Sequence, residues 1–339
     1  MLTIGYIGNG KSANRYHIPF VLERADKIKV KKIFDRKISH TNWKKLDGVT
    51  YTEDVNELLT DTEIDLIVIC TMQDSHFEYA KMVLNHNKHC LIEKPFMETS
   101  AQAKEIFALA KQKGRLVQAY QNRRFDSDFL TVQKVIESGK LGDLLEMEMH
   151  FDYYRPEVPM GSTEFSVNGS YLYGHGCHTL DQVISYFGQP DDVHYDVRQL
   201  LGPGKMNDYF DLDLYYDQLK ISVKSSYFRA KERPSFVVYG KKGYFIKESK
   251  DRQEEHLKQF YMPSEPDFGI DSPQHYGTLI YYGDDHQYHE EKVVSVQGDY
   301  GRVYDDLYNA IIHGQEIKIT PEETLLQMEM LEQGVKGLK

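Results

Sequence analysis

Apolar runs and longer stretches with helical periodicity alternate through the first third of the chain. The runs "TIGYIG", "KVKKIF", "DLIVIC", "HCLIE" and "RLVQAY" have the length of strands, and helix-like segments such as Ser75–Leu84 and Ser100–Lys113 lie between them. Strands that alternate with helices form βαβ units around a parallel sheet. The pattern therefore predicts an α/β domain with a doubly wound parallel sheet over residues 1–122.

After residue 122 the periodicity changes. A helix predicted over Asp128–Ser138 is followed by runs in which apolar and polar residues alternate, such as "LLEMEMHFDYY" and "FDLDLYYDQLKISVKSSYF". Such alternation is typical of strands with one solvated face, and "YDQLK" and "GKKG" are plausible hairpin turns. Helices are also predicted over His178–Phe187 and in two segments near the C-terminus, whereas residues 251–300 are interpreted as loops and weak strands. Residues 123–339 are thus predicted to form an α+β domain with a largely antiparallel sheet.

Composition narrows the range of functions. A chain of 339 residues, of which 40% are hydrophobic and 12% aromatic, can fill two cores. The formal net charge of −11 argues against a nucleic-acid or anionic-membrane partner, which would require a basic surface. No stretch has the pattern of a membrane span or a signal peptide, and three cysteines without paired spacing are typical of a reducing compartment. We expect a cytoplasmic protein.

A glycine motif follows the first predicted strand. In "IGYIGNGKSA" the pattern G-x-G-x-x-A lies between a strand and a helix, and an acid, Asp35, ends the next strand, which is the context of a Rossmann dinucleotide site. The first glycine permits a tight turn, and the second lets the backbone approach a pyrophosphate at a helix N-terminus. A glycine turn without a ligand is the alternative, and we favour dinucleotide binding. The candidate cofactor-binding residues of this loop are Gly8, Gly10, Lys11 and Ala13.

The choice of dinucleotide is argued from Asp35. Its carboxylate is expected to accept hydrogen bonds from the hydroxyls of the adenosine ribose. A 2′-phosphate about 4 Å away would be repelled by roughly 4 kcal/mol at an effective dielectric constant of ~20, which favours NAD. Arg36 and Lys37 follow directly, and these cations can either pair with such a phosphate or lie on a solvated turn. NAD is the predicted cofactor, and NADP stays open as the alternative.

Two further strand ends are expected at the same edge of the sheet, where ligands bind in doubly wound folds. "CTMQDSHFEYA" places Thr71 and His76 after the strand "DLIVIC" and near the cofactor, although a packing role accounts equally well for His76. "EKP" places Glu93, Lys94 and Pro95 at the end of the strand "HCLIE". We expect this segment to face the nicotinamide end of the dinucleotide; the alternative is a salt bridge at a strand terminus.

Four motifs taken together resemble one family. The motifs that carry the resemblance are the glycine motif, "EKP" at the end of the strand "HCLIE", "YQNRRFD" at the end of the strand "RLVQAY", and "GHGCHTLDQVISYFGQP" in the second half. They have the order and spacing of the glucose–fructose oxidoreductase/inositol dehydrogenase (Gfo/Idh/MocA) family. The resemblance covers essentially the whole chain. It implies a Rossmann domain followed by an α+β domain whose large open sheet joins subunits into a homodimer or homotetramer. It also implies a bound nicotinamide cofactor and hydride transfer at a hydroxyl or carbonyl carbon of a sugar, a cyclitol or a related polyol.

The resemblance also implies roles for individual residues. Lys94 matches the family lysine that hydrogen-bonds the reacting oxygen, and its peptide bond to Pro95 is often cis in relatives. His178 matches the histidine that exchanges a proton with that oxygen, and Asp181 matches an acid assigned to substrate binding or positioning. Many family dehydrogenases carry an aspartate four residues before this histidine, but the residue here is Gly174. An imidazole with an ordinary pKa of about 6.5 can accept a proton near neutral pH without this carboxylate, and Lys94 is the alternative acceptor if burial lowers its pKa. Whether His175 or a tyrosine supplies the missing contact is left open.

Other polar residues near these motifs have two interpretations each. Of Arg123 and Arg124, one is expected to reach the substrate or backbone carbonyls and the other to lie at a surface or interface; we assign Arg124 to the substrate. Tyr153, Tyr154 and Arg155 in "FDYYRP" can line a polar sugar site, or the tyrosines can pack on a sheet face; we include Tyr154 among the candidate substrate residues. The histidines and the cysteine of "GHGCH" would suit a metal only with a fourth ligand, which no recognisable spacing supplies, so no metal is predicted.

We predict an NAD(P)-dependent oxidoreductase that acts on a carbohydrate-like small molecule, with Lys94 polarising the reacting oxygen and His178 exchanging the proton. Two alternatives stay open. Some relatives hold NAD tightly, oxidise a sugar transiently and eliminate a glycosidic substituent, so that the overall reaction is that of a glycosidase. A dinucleotide sensor without catalysis is the other alternative, and the presence of both Lys94 and His178 argues against it. The sequence names neither the substrate nor the carbon that is oxidised.

Overall fold

The computed structural model describes residues 1–157 and 164–338 of the chain. The strands are β1 (Leu2–Ile7), β2 (Ile28–Phe34), β3 (Thr50–Thr52), β4 (Leu66–Ile69), β5 (His89–Ile92), β6 (Val117–Ala119), β7 (Leu144–His150), β8 (Asp192–Arg198), β9 (Tyr209–Tyr216), β10 (Leu219–Ser226), β11 (Phe236–Gly240), β12 (Gly243–Lys247), β13 (Gly277–Tyr282) and β14 (Tyr288–Val293). The α-helices are α1 (Ile18–Leu22), α2 (Asn56–Leu59), α3 (His76–Asn85), α4 (Ser100–Lys113), α5 (Ser127–Glu137), α6 (Cys177–Phe187), α7 (Gln253–Lys258), α8 (Arg302–His313) and α9 (Pro321–Val335). Five-residue π-helical turns at Ala13–His17 and Leu172–Gly176 directly precede α1 and α6.

The first of two compact units contains residues 1–122, 256–268 and 300–329. Within the described residues its sheet has six parallel strands in the order β3-β2-β1-β4-β5-β6. This is the strand order of a doubly wound Rossmann sheet, so the predicted fold of the N-terminal part is confirmed. Every residue of β4 is buried, as expected for a strand that is covered on both faces.

Helix α4 begins and ends where the sequence predicts. Thr99 Oγ1 accepts a hydrogen bond from the backbone N–H of Gln102, and the Gln102 side chain accepts one from the backbone N–H of Thr99, which makes a capping box. Gly114 ends the helix in the left-handed conformation with a φ of 62°. Strand β3 was not expected, because three residues are too few to show a period.

Segments from the last third of the chain complete the first unit, although the sequence-based division assigned everything after residue 122 to the second domain. Leu257 and Phe268 pack with Phe20 and Tyr300 in a buried cluster, and α8 contacts β1. These contacts join residues that are far apart in the sequence, and no local pattern reports them.

The second unit contains residues 123–255, 269–299 and the C-terminal residues from Met330. Within the described residues its sheet has eight strands in the order β14-β13-β12-β11-β7-β10-β9-β8. Neighbouring strands are antiparallel except for β7 and β10, which confirms the predicted mostly antiparallel sheet. The hairpins at "YDQLK" and "GKKG" join β9 to β10 and β11 to β12, as expected. The stretch interpreted as loops and weak strands contains α7, β13 and β14.

The alternating pattern of the second half separates the two faces of this sheet. In β9, Phe210, Leu212 and Leu214 are buried, whereas Asp211 and Asp213 on the opposite face are half-buried. The same period appears in β7. None of the helices in the described residues is long and apolar enough to cross a membrane.

Candidate active site

The glycine motif forms the turn between β1 and the helical turn that follows it. Gly8 has a φ of 111°, and a Cβ at this position would lie 2.7 Å from the carbonyl oxygen of Cys70 at the end of β4. A Cβ on Gly10 would meet no atom of the described residues within 4 Å. The first glycine is therefore required by the close approach of two strand ends, whereas the second leaves space that fits the pyrophosphate of a dinucleotide. Lys11 is exposed and Ala13 is buried.

Asp35 follows β2 and is half-buried. The side-chain amide of Asn9 donates to its Oδ2 (3.1 Å), and the backbone N–H of Lys37 donates to its Oδ1 (3.0 Å). These bonds hold the carboxylate beside the glycine loop, where the hydroxyls of a ribose can donate to its remaining lone pairs. The side chains of Arg36 and Lys37 are exposed. The residues present thus fit the adenosine half of a dinucleotide, and Asn9 was not anticipated from the sequence.

Thr71 and His76 lie beyond β4, and their contacts are with the protein itself. Thr71 Oγ1 accepts a hydrogen bond from Ser75 (2.8 Å). The buried His76 ring has Nδ1 3.2 Å and 3.1 Å from the carbonyl oxygens of Pro95 and Phe96, and Nε2 3.2 Å from that of Thr71. Burial lowers the pKa of the His76 imidazole. His76 therefore joins the chain that follows β4 to the chain that follows β5.

Glu93 and Lys94 follow β5 and are tied to the glycine loop. The backbone N–H of Lys94 donates to Glu93 Oε2 (2.8 Å), while Ser12 of the loop donates to Oε1 and His17 Nε2 lies 3.0 Å from the same oxygen. Burial opposes ionisation, but the hydrogen bonds from His17 and Ser12 and the charges of His17 and Lys94 hold the pKa of the Glu93 carboxyl at about 2. The Lys94 side chain is half-buried, and its peptide bond to Pro95 is cis.

His17 is a residue that sequence reasoning missed. It is completely buried, its Nδ1 lies 2.7 Å from the hydroxyl oxygen of Tyr304, and its ring stacks on Tyr120 with 3.8 Å between centroids. The Tyr304 hydroxyl oxygen is in turn 3.1 Å from that of Tyr6 in β1. The segment "NRYHIP" offers a histidine before a helix-opening proline, but its partner Tyr304 lies 287 residues away in the sequence, so no local signal connects them.

His178 is buried in the first turn of α6, and a buried ion pair anchors the same helix. The guanidinium of Arg124 donates to both oxygens of Asp181, with 2.8 Å for each bond. Bidentate charge-assisted bonds of this kind are strong and fix geometry. Gln182 also donates to the carbonyl oxygen of Arg123 (2.7 Å). Two candidate substrate residues, Arg124 and Asp181, are thus paired with each other and hold the helix that carries His178.

Aromatic rings surround His175 in the turn before α6. The centroid of its ring lies 4.5 Å from that of Tyr171 and 5.1 Å from that of Tyr153. The guanidinium carbon of Arg155 lies 4.8 Å from the centroid of the Tyr153 ring, so the aromatic face is partly covered by a cation. Tyr154, the tyrosine assigned to the substrate from the sequence, is 61% exposed and is not among the rings that contact His175.

Space is open at the position of the missing family aspartate. Gly174 is half-buried, its φ lies outside the left-handed region, and a Cβ there would meet no atom of the described residues within 4 Å. The backbone therefore does not require glycine at this position. Lys94 and His178 belong to different units. No group of three or more His, Cys, Asp or Glu side chains in residues 1–157 and 164–338 could hold a metal ion.

Family models match both halves of the chain. A model described as "Oxidoreductase family, NAD-binding Rossmann fold" matches residues 2–121, and one described as "Oxidoreductase family, C-terminal alpha/beta domain" matches residues 133–337. The Escherichia coli (strain K12) protein named "Uncharacterized oxidoreductase YhhX" is 47% identical over 335 residues, which cover 98% of this chain and 96% of that protein.

A second relative and a solved structure match over the same length. The Bacillus subtilis (strain 168) protein named "scyllo-inositol 2-dehydrogenase (NADP(+)) IolW" is 29% identical over 341 residues, covering 100% of this chain and 94% of that protein. The crystal structure of an oxidoreductase from Bacillus cereus has a TM-score of 0.92 at 43% identity, with 98% of this chain and 95% of that chain covered. The similarity therefore includes both units.

Proposed function

The chain belongs to the Gfo/Idh/MocA family of NAD(P)-dependent oxidoreductases, and we propose that it transfers hydride between nicotinamide and a hydroxyl or carbonyl carbon of a polyol. One arrangement in the first unit carries the proposal. Lys94 is joined through Glu93 to Ser12 of the glycine loop, so a dinucleotide on that loop and an oxygen bound by Lys94 would be neighbours.

The proposed chemistry divides between two side chains. A bound nicotinamide dinucleotide supplies the hydride acceptor in the direction of oxidation and the hydride donor in reverse. The ammonium of Lys94 donates a hydrogen bond to the reacting oxygen and stabilises the negative charge that develops as the O–H bond breaks. His178 takes that proton, so the alcohol carbon loses a hydride, its oxygen loses a proton, and a carbonyl forms. Each role is assigned from the surroundings of the residue in its own unit.

NAD is the proposed cofactor. The support is the position of Asp35, whose two oxygens are held by Asn9 and by the backbone of Lys37 beside the loop. A carboxylate in this place accepts bonds from ribose hydroxyls and would repel a 2′-phosphate about 4 Å away by roughly 4 kcal/mol at an effective dielectric constant of ~20. Two observations favour NADP instead. Arg36 and Lys37 are exposed cations beside this position, and the relative IolW is named as an NADP(+) enzyme.

The proposed substrates are sugars, cyclitols and related polyols. The name of the relative IolW gives a cyclitol as its substrate, which supports this class for the present chain. The half-buried ring of Tyr153 near His175 is an aromatic side chain of the kind that stacks on the C–H face of a sugar ring. The open space at Gly174, four residues before His178, leaves room for a substituent of such a ring.

Calorimetric titration of nucleotide-free protein with NADH and then with NADPH tests the cofactor. We expect the affinity for NADH to be higher; tighter binding of NADPH would overturn the choice, and binding of neither by folded protein would overturn the proposed function. A screen of polyols with NAD, followed at the absorbance of free NADH, then tests the reaction. Free NADH in proportion to product distinguishes a dehydrogenase from an enzyme that restores the hydride within each turnover.

Replacement of Lys94 by Met tests its proposed role. We expect turnover to fall ~10²–10³-fold, since a hydrogen-bond donor to the developing charge is removed, while the dissociation constant for NADH changes by less than about threefold. Steady-state kinetics and the same titration measure both quantities. Lys111→Met, at an exposed position of α4, is the matched control and should leave both unchanged. Turnover retained in Lys94→Met would contradict the mechanism.

We also propose that the eight-stranded sheet joins subunits as a homodimer or homotetramer. A row of residues crosses its more exposed face: Lys220 pairs with Glu146 at 3.3 Å, Tyr215 lies opposite Lys220, and Tyr239 lies opposite Glu146. The two tyrosines are 39% and 44% exposed, and aromatic side chains are enriched in subunit interfaces. Light scattering of the protein in solution gives the mass that tests this; a monomer would refute it.

A further inference from the structure

The carboxylate of Glu93 is buried where three segments of the first unit meet. Its Oε1 accepts from Ser12 of the glycine loop and bonds Nε2 of His17, and its Oε2 accepts from the backbone N–H of Lys94. Both oxygens therefore have donors, which is the arrangement that a buried carboxylate needs in order to stay ionised. The only segment of the three that carries a proposed catalytic side chain is the one that contains Lys94.

The direction of the bond to Glu93 follows from the chemistry of the groups. A carboxylate only accepts hydrogen bonds, so Nε2 of His17 carries a hydrogen toward Glu93. Nδ1 of His17 lies 2.7 Å from the Tyr304 hydroxyl oxygen; it donates to that oxygen in the imidazolium and accepts from the hydroxyl in the neutral ring. Burial raises the pKa of Tyr304 well above its usual range, so this hydroxyl keeps its proton. The Tyr304 and Tyr6 hydroxyls, 3.1 Å apart, bond each other, and either can be the donor.

We propose that His17 is a positioning residue for the hydride-transfer site: with Tyr304 behind it, it holds the Glu93 carboxylate, and Glu93 fixes the backbone of Lys94 against Ser12 of the glycine loop. The inference rests on the role that "Proposed function" gives to Lys94. It adds that the loop expected to bind the pyrophosphate and the lysine expected to bind the substrate oxygen are held by one shared carboxylate.

A role for His17 in packing alone makes a different prediction. Its ring stacks on Tyr120 at 3.8 Å, and phenylalanine in its place would keep that stack while losing both nitrogens. If packing were its contribution, His17→Phe would leave Lys94 undisturbed. If it acts through Glu93, the same variant removes a donor from a buried carboxylate and loosens the Lys94 backbone. His17→Phe therefore separates the two roles.

Hydrogen exchange of the segment 92–97 measures the backbone of Lys94 without any substrate. We expect exchange in this segment to be at least ~10-fold faster in His17→Phe than in the wild type, because the bond from Lys94 to Glu93 opens more often. His89→Gln is the matched control, since His89 begins the strand β5 that Glu93 follows and accepts from the backbone of Leu116. Exchange at the wild-type rate in His17→Phe would overturn the inference, whether or not any polyol is turned over.

Kinetics test whether the effect runs through Glu93. We expect His17→Phe and Glu93→Gln each to lower kcat ~10-fold or more with little change in KM for the nucleotide, and the double variant to be no slower than the slower single variant. The acid limb of the kcat profile should also move to higher pH in His17→Phe, because a bond that offsets the burial of Glu93 and lowers its pKa is lost. Effects of the two substitutions that multiply in the double variant would overturn the inference.

A milder substitution keeps the test decisive if His17→Phe does not fold. Tyr304→Phe removes only the hydroxyl that is hydrogen-bonded to Nδ1 of His17, and Tyr308→Phe on the same helix α8 is its control. We expect exchange in segment 92–97 to rise several-fold in Tyr304→Phe and to stay unchanged in Tyr308→Phe. Equal exchange in the two variants would overturn the inference. A wild type that turns over no polyol, in contrast, counts against the proposed function and leaves the exchange result to decide this inference.

Discussion

The π-helical turns Ala13–His17 and Leu172–Gly176 both precede helices, but their surroundings differ. In the first turn His17 is fully buried and bonded on both ring nitrogens, to Glu93 and to Tyr304. In the second turn Gly174 has no side chain, and the space where a Cβ would point is open among the described residues. The first turn belongs to the part of the chain that is expected to bind the cofactor, and the second lies beside the histidine expected to meet the substrate.

The difference suggests how one scaffold serves many substrates. Both oxygens of the buried Glu93 carboxylate have donors, so the loss of any of these partners removes a bond from a buried charge. At Gly174, four residues before His178, a Cβ would meet no atom of the described residues, so a side chain can be added there without a clash with them. Function resides in such local sites and not in the fold itself. We call the residues around Glu93 and His17 the first region, where substitutions should break buried hydrogen bonds, and those around Gly174 and α6 the second region, where a side chain can be added at Gly174.

The second region also contains the buried ion pair between Arg124 and Asp181, which anchors α6. Breaking this pair should have the largest effect on the free energy of unfolding. Arg124→Met leaves the Asp181 carboxylate, 2% exposed, without the guanidinium that now bonds both of its oxygens. Removing one partner of a buried ion pair costs about 3–5 kcal/mol in the free energy of unfolding. Denaturant unfolding measures the loss.

Arg155→Met is the matched control for this prediction. Arg155 is exposed and stacks on the ring of Tyr153 at 4.8 Å, so its removal should lower the free energy of unfolding by no more than about 1 kcal/mol. Equal losses in the free energy of unfolding of Arg124→Met and Arg155→Met would show that the ion pair with Asp181 does not anchor α6.

The first region should lose stability in acid because of Glu93. Hydrogen bonds and nearby charges that outweigh burial hold the pKa of this carboxyl at about 2, against an ordinary value of 4.5. Because the pKa in the folded state is lower than in the unfolded state, the ionised carboxylate contributes stability that is complete above pH 4.5 and is lost as the pH falls toward 2. A difference of about 2.5 pKa units corresponds to roughly 3 kcal/mol.

The measurement compares wild type with Glu93→Gln, since other carboxylates titrate in the same window. The wild type should be more stable than the variant at pH 6, and the gap between their free energies of unfolding should narrow as the pH is lowered from 4.5 toward 2. A gap that does not depend on pH would mean that Glu93 contributes through shape and not through its charge.

The two glycines of the cofactor loop should respond differently to the same substitution. Gly8→Ala places a methyl group 2.7 Å from the Cys70 carbonyl oxygen at a φ of 111°, so we expect a loss of about 2 kcal/mol in the free energy of unfolding. Gly10→Ala meets no described protein atom and should change stability by less than about 0.5 kcal/mol while lowering the affinity for NADH. Unfolding and calorimetric titration measure the two effects; unchanged NADH affinity in Gly10→Ala would mean that the space at Gly10 is not the pyrophosphate site.

Periodicity and turn chemistry were sufficient to predict the two sheets but not every element of the two units. The alternation of strands and helices predicted the parallel sheet, the helical stretch Ser100–Lys113 predicted α4, and "GKKG" predicted a hairpin, because each of these signals is local. The sequence did not assign residues 256–268 and 300–329 to the first unit, because their packing there depends on contacts such as that of Leu257 with Phe20. Such contacts join distant parts of the sequence and leave no period in either part.

The candidate site was predicted unevenly for the same reason. Gly8 and Lys94 belong to motifs in which neighbouring residues carry the signal, so they could be named from the sequence. His17 could not be named from the sequence, because its role depends on contacts with Glu93 and Tyr304, which lie 76 and 287 residues away in the sequence. The pairing of Arg124 with Asp181 was hidden in the same way, although each residue had been named singly. Spatial networks of this kind require the fold before they can be recognised.

Substitution at Gly174 should have the smallest effect on the free energy of unfolding. Gly174 has a φ outside the left-handed region and space for a Cβ, so Gly174→Ala should raise the free energy of unfolding by about 0.5–1 kcal/mol through the lower entropy of the unfolded chain. Gly176→Ala, two residues later, should lower it instead, because a Cβ there would lie 2.6 Å from Leu172 Cδ1. If the substrate uses the space at Gly174, the stabilised variant should have a several-fold lower kcat/KM for the best polyol. A variant that gains stability and keeps its kcat/KM would show that the space is empty during the reaction, and specificity would then have to come from the rings around His175.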